Sequence, residues 1–293
     1  MAKLLCFGFG YCAEHFVASF GDKFEPVVGT VRSVERAAIL NAYGGGRLQA
    51  FVFGGTRPTS ELRDRIAEAN DVLISIRPGE RGDPVLAAFG DDFAAAKALR
   101  SIVYLSTIGV YGDHACAWVD EASTPKPDSA RSRERLAAER AWQDLGTRLG
   151  VSVAILRLAG IYGPSRNVLV ELQSGKARRI VKPGQVFNRV HVADVAQAID
   201  AAFARCADGI YNIADDAPSA PGDPIVFAAQ LLGREPPPEI PFADAVPSMS
   251  PMALSFWQGC RRVRNGKLKR DLGVALEYPT YRHGLRALFA AHS

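Results

Sequence analysis

The stretch Gly8-Phe9-Gly10-Tyr11-Cys12-Ala13 constrains this chain more than any other. It comes after an apolar run at 3–7 and opens a segment, 13–20, in which Phe16, Val17 and Phe20 fall on one side of a helix. A Gly-x-Gly-x-x-Ala turn between strand and helix has few solutions. Gly8 permits the tight turn, Gly10 lets another group approach the backbone, and Ala13 is small enough for helix and strand to pack closely. Free N–H groups at the start of the helix, together with its dipole, favour an anion there. A corner that needs glycine for shape alone would use the same residues.

Beyond this turn the chain alternates with a βαβ period. Strand-like runs fall at 26–31, 48–53, 71–76, 101–106 and 152–156, and helical stretches at 34–43, 61–69, 84–99 and 131–149. The glycines Gly44, Gly45 and Gly46 stop the second helix. The strand runs are continuously apolar, as in strands buried on both faces, so the sheet is expected to be parallel. Right-handed crossovers then give an α/β fold of Rossmann type, a doubly wound parallel sheet. After Gly163-Pro164 the pattern loosens, apart from a helix at 192–203 and a strand at 209–214.

Composition excludes several alternatives. Of 293 residues, 48% are hydrophobic and 23% charged, enough apolar mass for a core rather than a disordered chain. No apolar run is long enough to span a membrane, and Met1-Ala2-Lys3 does not begin a secretory signal. The five cysteines are odd in number, scattered, and contain no Cys-x-x-Cys pair, which argues against a disulfide framework or a metal site and fits a cytoplasmic protein. A net charge of +4 is too mild to argue for nucleic acid unless it is clustered.

With the fold in view, the glycine turn reads as a dinucleotide site, with Gly8, Phe9, Gly10, Tyr11, Cys12 and Ala13 cradling a pyrophosphate. The second strand ends in Val31-Arg32-Ser33, where an acidic residue would accept from the ribose 2′-hydroxyl of NAD. Arg32 offers a cationic fork to a 2′-phosphate, Ser33 a hydroxyl, and Arg36 lies one turn on, so NADP is expected rather than NAD. Arg32 could also merely solvate a strand end. Ile76 and Ser106, at strand ends, are grouped with these as cofactor contacts. Residues 1–160 and 189–215 are expected to form the cofactor domain, and 161–188 with 216–293 a smaller C-terminal substrate lobe.

The fifth strand ends in Ser106-Thr107-Ile108-Gly109-Val110-Tyr111-Gly112, a segment that resembles a motif of the extended short-chain dehydrogenase/reductases, relatives of nucleotide-sugar epimerases and dehydratases. Three further stretches resemble that family in the same order: Arg157 to Pro164, Arg189 to Ala196, and Gly209 to Ile213. The resemblance implies catalysis by a Tyr-x-x-x-Lys pair, the tyrosine moving a proton and the lysine holding the ribose. Here Arg131 and Arg135 stand at those positions, so the resemblance implies that Arg135 is a cofactor contact with its charge near the ribose, and no tyrosine lies between Tyr111 and Tyr162. Arginine keeps its proton and cannot replace the tyrosine. Thr107 matches the family's catalytic Ser/Thr. Tyr111 is the nearest phenol and a candidate substitute acid, with a packed wall residue as the competing reading. The pattern resembles the atypical branch of the superfamily. It implies an oxidoreductase or epimerase-like enzyme acting on a small polar, nucleotide-linked substrate, or else a cofactor-binding regulator or redox sensor.

Arg261, Arg262, Arg264, Lys267, Lys269 and Arg270 form a basic cluster, read as a solvated face or an anionic-substrate contact, with no nucleic-acid partner expected. Phe256 and Trp257 are core residues or a pocket wall. Cys12 is expected to be a packing residue, and His191 a structural hydrogen-bonder at a helix start. The resemblance implies a homodimer through the helices at 84–99 and 131–149, although Trp142, Leu145 and Leu149 could equally face the core.

Overall fold

The computed structural model describes residues 1–44, 46–55 and 58–291; Gly45, in the middle of the expected helix stop, lies outside them. The apolar runs become strands β1 (Ala2–Phe7), β2 (Phe24–Val31), β3 (Leu48–Val52), β4 (Asp71–Ile74), β5 (Ser101–Thr107), β6 (Ser152–Leu158) and β7 (Gly209–Ile213). They form one sheet in the order β7-β6-β5-β4-β1-β2-β3, and every pairing is parallel. Strand order reverses about β1, so the crevice for a ligand opens at the carboxyl ends of β1 and β4. This is a Rossmann-type sheet.

Helices α1 (Tyr11–Phe20), α2 (Val34–Tyr43), α3 (Ser60–Glu68), α4 (Pro84–Ala95), α5 (Ala130–Leu149) and α6 (Val192–Ala204) accompany the sheet. Five of them start on side-chain caps: Ser33 for α2, Thr59 for α3, Asp83 for α4, Ser129 for α5 and His191 for α6 each accept a backbone N–H. Helix α4 ends sooner than its alanine content suggests, because turns through Ala96 and Leu99 must bring the chain back to Ser101.

Two cores sandwich the sheet. On one face α1 packs on α6, with the ring centroids of Phe16 and Phe203 5.9 Å apart. On the other, Phe7, Phe53, Phe89 and Phe93 stack toward Trp142 of α5, which lies 5.5 Å from Phe93. Trp142 and Leu145 therefore face inward, and any dimer through α5 would have to use its other side. Burying one such side chain contributes roughly 1.5–3 kcal/mol.

A third core, around Tyr162, Leu169, Ala228, Tyr281 and Leu285, sits outside the sheet. Its segments are tied together by short parallel pairs, Gly160–Tyr162 with Arg189–His191 and Arg179–Val181 with Glu239–Pro241. A further pair, Trp118–Val119 with Arg262–Val263, pins a late segment to the loops after β5. Asp194 of α6 accepts N–H bonds from Glu277 (2.7 Å) and Tyr278 (3.2 Å), holding the C-terminal segment against the sheet domain.

The cysteine expectation is overturned. Cys116 and Cys260, 144 residues apart, form a disulfide. Chain spacing carries no sign of the pair, because the Trp118–Arg262 ladder is what brings the two together. The cysteine pattern thus no longer argues for a compartment. Among the described residues no helix is long and apolar enough to cross a membrane.

Candidate functional site

The glycine turn is fixed from behind and open in front. Gly8 has φ +89°, and a Cβ there would lie 2.8 Å from Ser75 Oγ and 3.0 Å from Ile76 Cγ1. Its N–H donates to Thr30 Oγ1 (2.9 Å), the N–H of Phe9 donates to the Thr30 carbonyl (2.7 Å), and Ser75 Oγ donates to the Gly8 carbonyl (2.6 Å). Phe9 is buried over Gly29, where a Cβ would come within 2.7 Å of its ring, and Ala13 is fully buried. Gly10 is the opposite case: nothing lies within 4 Å of where its Cβ would be. It caps α1 without a side-chain hydrogen bond, so the first N–H groups of that helix are left for a ligand. These features fit a pyrophosphate lying across the turn.

Gly10, Tyr11 and Cys12 line a cavity of about 880 Å³ that runs past the ends of β4, β5 and β6 to Arg189, Trp257 and Arg261. Tyr11 Oη donates to the Pro164 carbonyl (3.0 Å), and the Arg166 guanidinium lies 5.7 Å from its ring centroid. Burial pushes the Cys12 thiol up to about 11, with Arg166 only partly opposing, which favours the thiol over the thiolate. At the end of β2, Ser33 Oγ accepts from the N–H of Arg36 (3.2 Å), while the Arg36 guanidinium pairs with Glu14. Arg32 is exposed and, among the described residues, makes no ion pair. Ile76 packs behind Gly8 rather than lining the cavity.

The residues after β5 divide. Thr107 lines the cavity, its Oγ1 accepting from the N–H of Gly109 (3.1 Å). Ser106 lies in the cavity wall, largely buried, with its hydroxyl donating to Glu139. Glu139 in turn holds Arg157 through Nη2 (2.7 Å) and Nε (3.2 Å), an ion pair almost wholly out of water. Arg135 lines the cavity while its Nη1 donates to the Leu105 carbonyl (2.8 Å) and to Tyr104 Oη (3.0 Å).

Tyr111 does not occupy the place considered for it. It is fully buried, its hydroxyl donates to Asn212 Oδ1 (2.8 Å), its ring lies under Arg157, and it takes no part in the cavity wall. The four-residue 3₁₀ turn Ile108–Tyr111 swings it away from the end of β5 and into the core. Burial raises its pKa, opposing release of the proton. The tyrosines that do line the cavity are Tyr11 and Tyr162. Tyr162 Oη is buried, and burial pushes its pKa upward.

Other wall residues escaped sequence reasoning. Arg166, Phe187 and Gly259 come from irregular segments with no periodicity to mark them. Trp257 is buried, stacks on Phe242 (5.2 Å) and still forms part of the wall, while Phe256 is exposed there. The late basic cluster is not simply a solvated face. Arg261 donates to the Gly112 carbonyl (2.8 Å), Arg262 to that of Cys116, Lys267 to that of Ile210 (2.9 Å), and Lys269 pairs with Asp216 (2.6 Å). Of this cluster only Arg261 reaches the cavity. His191 caps α6, its Nδ1 accepting from the N–H of Ala193 (3.2 Å).

Comparisons with known proteins agree with this architecture. Residues 92–214 match the NAD dependent epimerase/dehydratase family. Protein YeeZ of Escherichia coli (strain K12) is 34% identical over 192 residues, a match covering 61% of this chain and 65% of that protein, so the matched part spans just under two thirds of the relative. A functionally unknown conserved protein from Silicibacter pomeroyi DSS superposes with a TM-score of 0.87 at 41% identity, covering 100% of this chain and 99% of that one. UDP-glucuronic acid 4-epimerase from Bacillus cereus, solved in complex with NAD, shares the fold with a TM-score of 0.75 at 16% identity, over 98% of this chain and 97% of its own. On the glycine turn, the parallel sheet and these matches together, the chain has a Rossmann-type fold whose residues 92–214 match the NAD dependent epimerase/dehydratase family.

Proposed function

We propose that the protein binds NADP along the cavity and acts as an oxidoreductase or epimerase-like enzyme on a small polar, nucleotide-linked substrate. The observation that carries this reading is the uncapped, open amino end of α1 at Gly10, facing a cavity whose far wall holds Thr107. In this reading residues 1–160 and 189–215 carry the cofactor and 161–188 with 216–293 the substrate. Arg32 meets a 2′-phosphate; Arg36, paired with Glu14, leaves that task to it. When bound, the nicotinamide would supply or accept hydride. Thr107 would orient the substrate oxygen, and Arg135, at the family's lysine position, would keep a fixed positive charge near the ribose.

Titration with NADPH and NADH followed by cofactor fluorescence tests the first half. NADPH should bind more tightly, and Arg32→Asp should weaken NADPH by roughly tenfold or more while sparing NADH, as loss of a charge-assisted contact implies. Equal binding of the two cofactors by the unaltered protein would remove the role given to Arg32. For the second half, bound NADPH is followed while carbonyl compounds and nucleotide sugars are screened; oxidation that persists unchanged in Thr107→Ala would remove Thr107 from the site.

A second reading, a cofactor-binding regulator without turnover, is favoured by one observation. The two cavity tyrosines are tied down or buried, and among the described residues no histidine lines the wall. Tight NADPH binding with no oxidation across the whole screen would select it.

A further inference from the structure

We propose that the corner of the cavity beside Thr107 is a binding site for an oxyanion, a phosphate or carboxylate group carried by the ligand. The corner is a recess of about 120 Å³, small against the main cavity and joined to it through Thr107, Gly109 and Phe256. Its volume suits a terminal group, not a whole ligand.

Four guanidinium side chains line the recess: Arg77 after β4, Arg131 and Arg135 in the first turns of α5, and Arg261 from the late segment. Asp128 and Glu134 also line it, leaving positive charge in excess by two. The arginines are unequally occupied. Arg135 is spent on Leu105 and Tyr104. Arg261 uses Nη1 on the Gly112 carbonyl, while its Nε is buried without a hydrogen-bond partner. Arg77 and Arg131 are exposed and, among the described residues, their side chains have neither an ion pair nor a hydrogen bond.

Arginine stays charged in proteins, so the like charges gathered here cannot relax by losing protons. A guanidinium presents donors in a planar fork that matches a carboxylate or phosphate, and a buried donor without a partner is costly. A bound oxyanion answers both costs. It would also enter at the amino end of α5, the favourable end of the helix dipole. The ligand would then point its charged group at Arg77, Arg131 and Arg261 and lay the adjoining carbon beside Thr107. This deepens the proposed function, resting on the same cavity, and it assigns Arg131 a binding role in place of proton transfer.

The test is calorimetric titration of the intact protein, in chloride buffer, with inorganic phosphate and separately with malonate, both free and saturated with NADPH. Variants Arg131→Ala and Arg77→Ala are compared with Arg140→Ala, an exposed arginine of α5 outside the recess, circular dichroism checking that each is folded, and Arg131→Lys retains the charge without the fork. The expected result is anion binding that survives NADPH saturation, weakens by roughly tenfold or more in Arg131→Ala, recovers in part in Arg131→Lys and is unchanged in Arg140→Ala. Preference for phosphate or for malonate tells which oxyanion the recess takes. No binding of either at millimolar concentration overturns the proposal. So does binding that NADPH abolishes and Arg131→Ala leaves intact, which would locate the anion on the glycine turn. If NADPH itself does not bind, the cofactor reading fails, while dependence on Arg131 is still read in the free protein.

Discussion

Glu139 carries more of the site than its position on α5 suggests. Its carboxylate holds Arg157 and receives the Ser106 hydroxyl, all three out of water, directly behind the strand end that presents Thr107. A buried pair of this kind adds little net stability against an apolar replacement, but removing one partner strands the other charge. Glu139→Ala should therefore cost about 3–5 kcal/mol in denaturant unfolding. A loss below about 1 kcal/mol, the range of a solvated pair, would mean that water reaches Arg157. None of this is legible in the sequence: a glutamate on a helix reads as a surface residue, and only the fold aims it inward. The same limit explains Tyr111, whose place in a motif locates it along the chain without revealing that a tight turn faces it into the core. Gly8 and Gly10 are the contrary case, because the conformational reason for glycine is itself a property of the residue.

Among the elements, the long strands and helices are readable from hydrophobic runs because each buries a whole face. The short pairs are not. Trp118–Val119 and Arg262–Val263 hold only two residues each, too few for any period, and their pairing is decided by what they join. The Cys116–Cys260 bridge lies at the head of that ladder, with Gly259 and Arg261 of the cavity wall on either side of Cys260. The link closes a loop of 144 residues, so by chain entropy its reduction should destabilise the fold by about 2–5 kcal/mol. Thermal unfolding with and without dithiothreitol measures this. Cys260→Ser should match the reduced protein and show no further response to the reductant; a melting temperature that ignores reductant in both would show that the ladder suffices.

The molecule as a whole should answer to pH through the buried groups where α6 and β7 meet the outer segments. Burial brings His191 down to about 4 from its ordinary 6.5, so between those values the unfolded chain binds the extra proton and stability falls as pH drops. Burial lifts Asp194 to about 6 and Asp215 to about 7, from 3.8. For these the folded chain holds protons that the unfolded chain has already lost, so stability falls as pH rises from about 4 to 7. The imidazole offsets one of the two carboxylates, so the unaltered protein is expected to lose stability as pH rises from about 4 to 6, with a shallower profile above that. Asp215 accepts from the N–H of Ala217 (3.1 Å) through one oxygen and leaves the other buried without a partner. Asp215→Asn should thus gain stability relative to wild type as pH rises from about 4 to 8, by on the order of 4 kcal/mol. A difference that does not change with pH would place the ionisation of Asp215 outside this balance.

The order of the sheet also bears on how the chain is made. Strand β6 ends at Leu158, and the strand that covers its outer side does not begin until Gly209. A growing polypeptide therefore leaves the ribosome with that edge bare, a row of unpaired N–H and C=O groups open to another chain. Translation products that stop before Gly209 are the ones expected to aggregate or to be held by chaperones, and pauses in synthesis between the two strands are where yield would be lost.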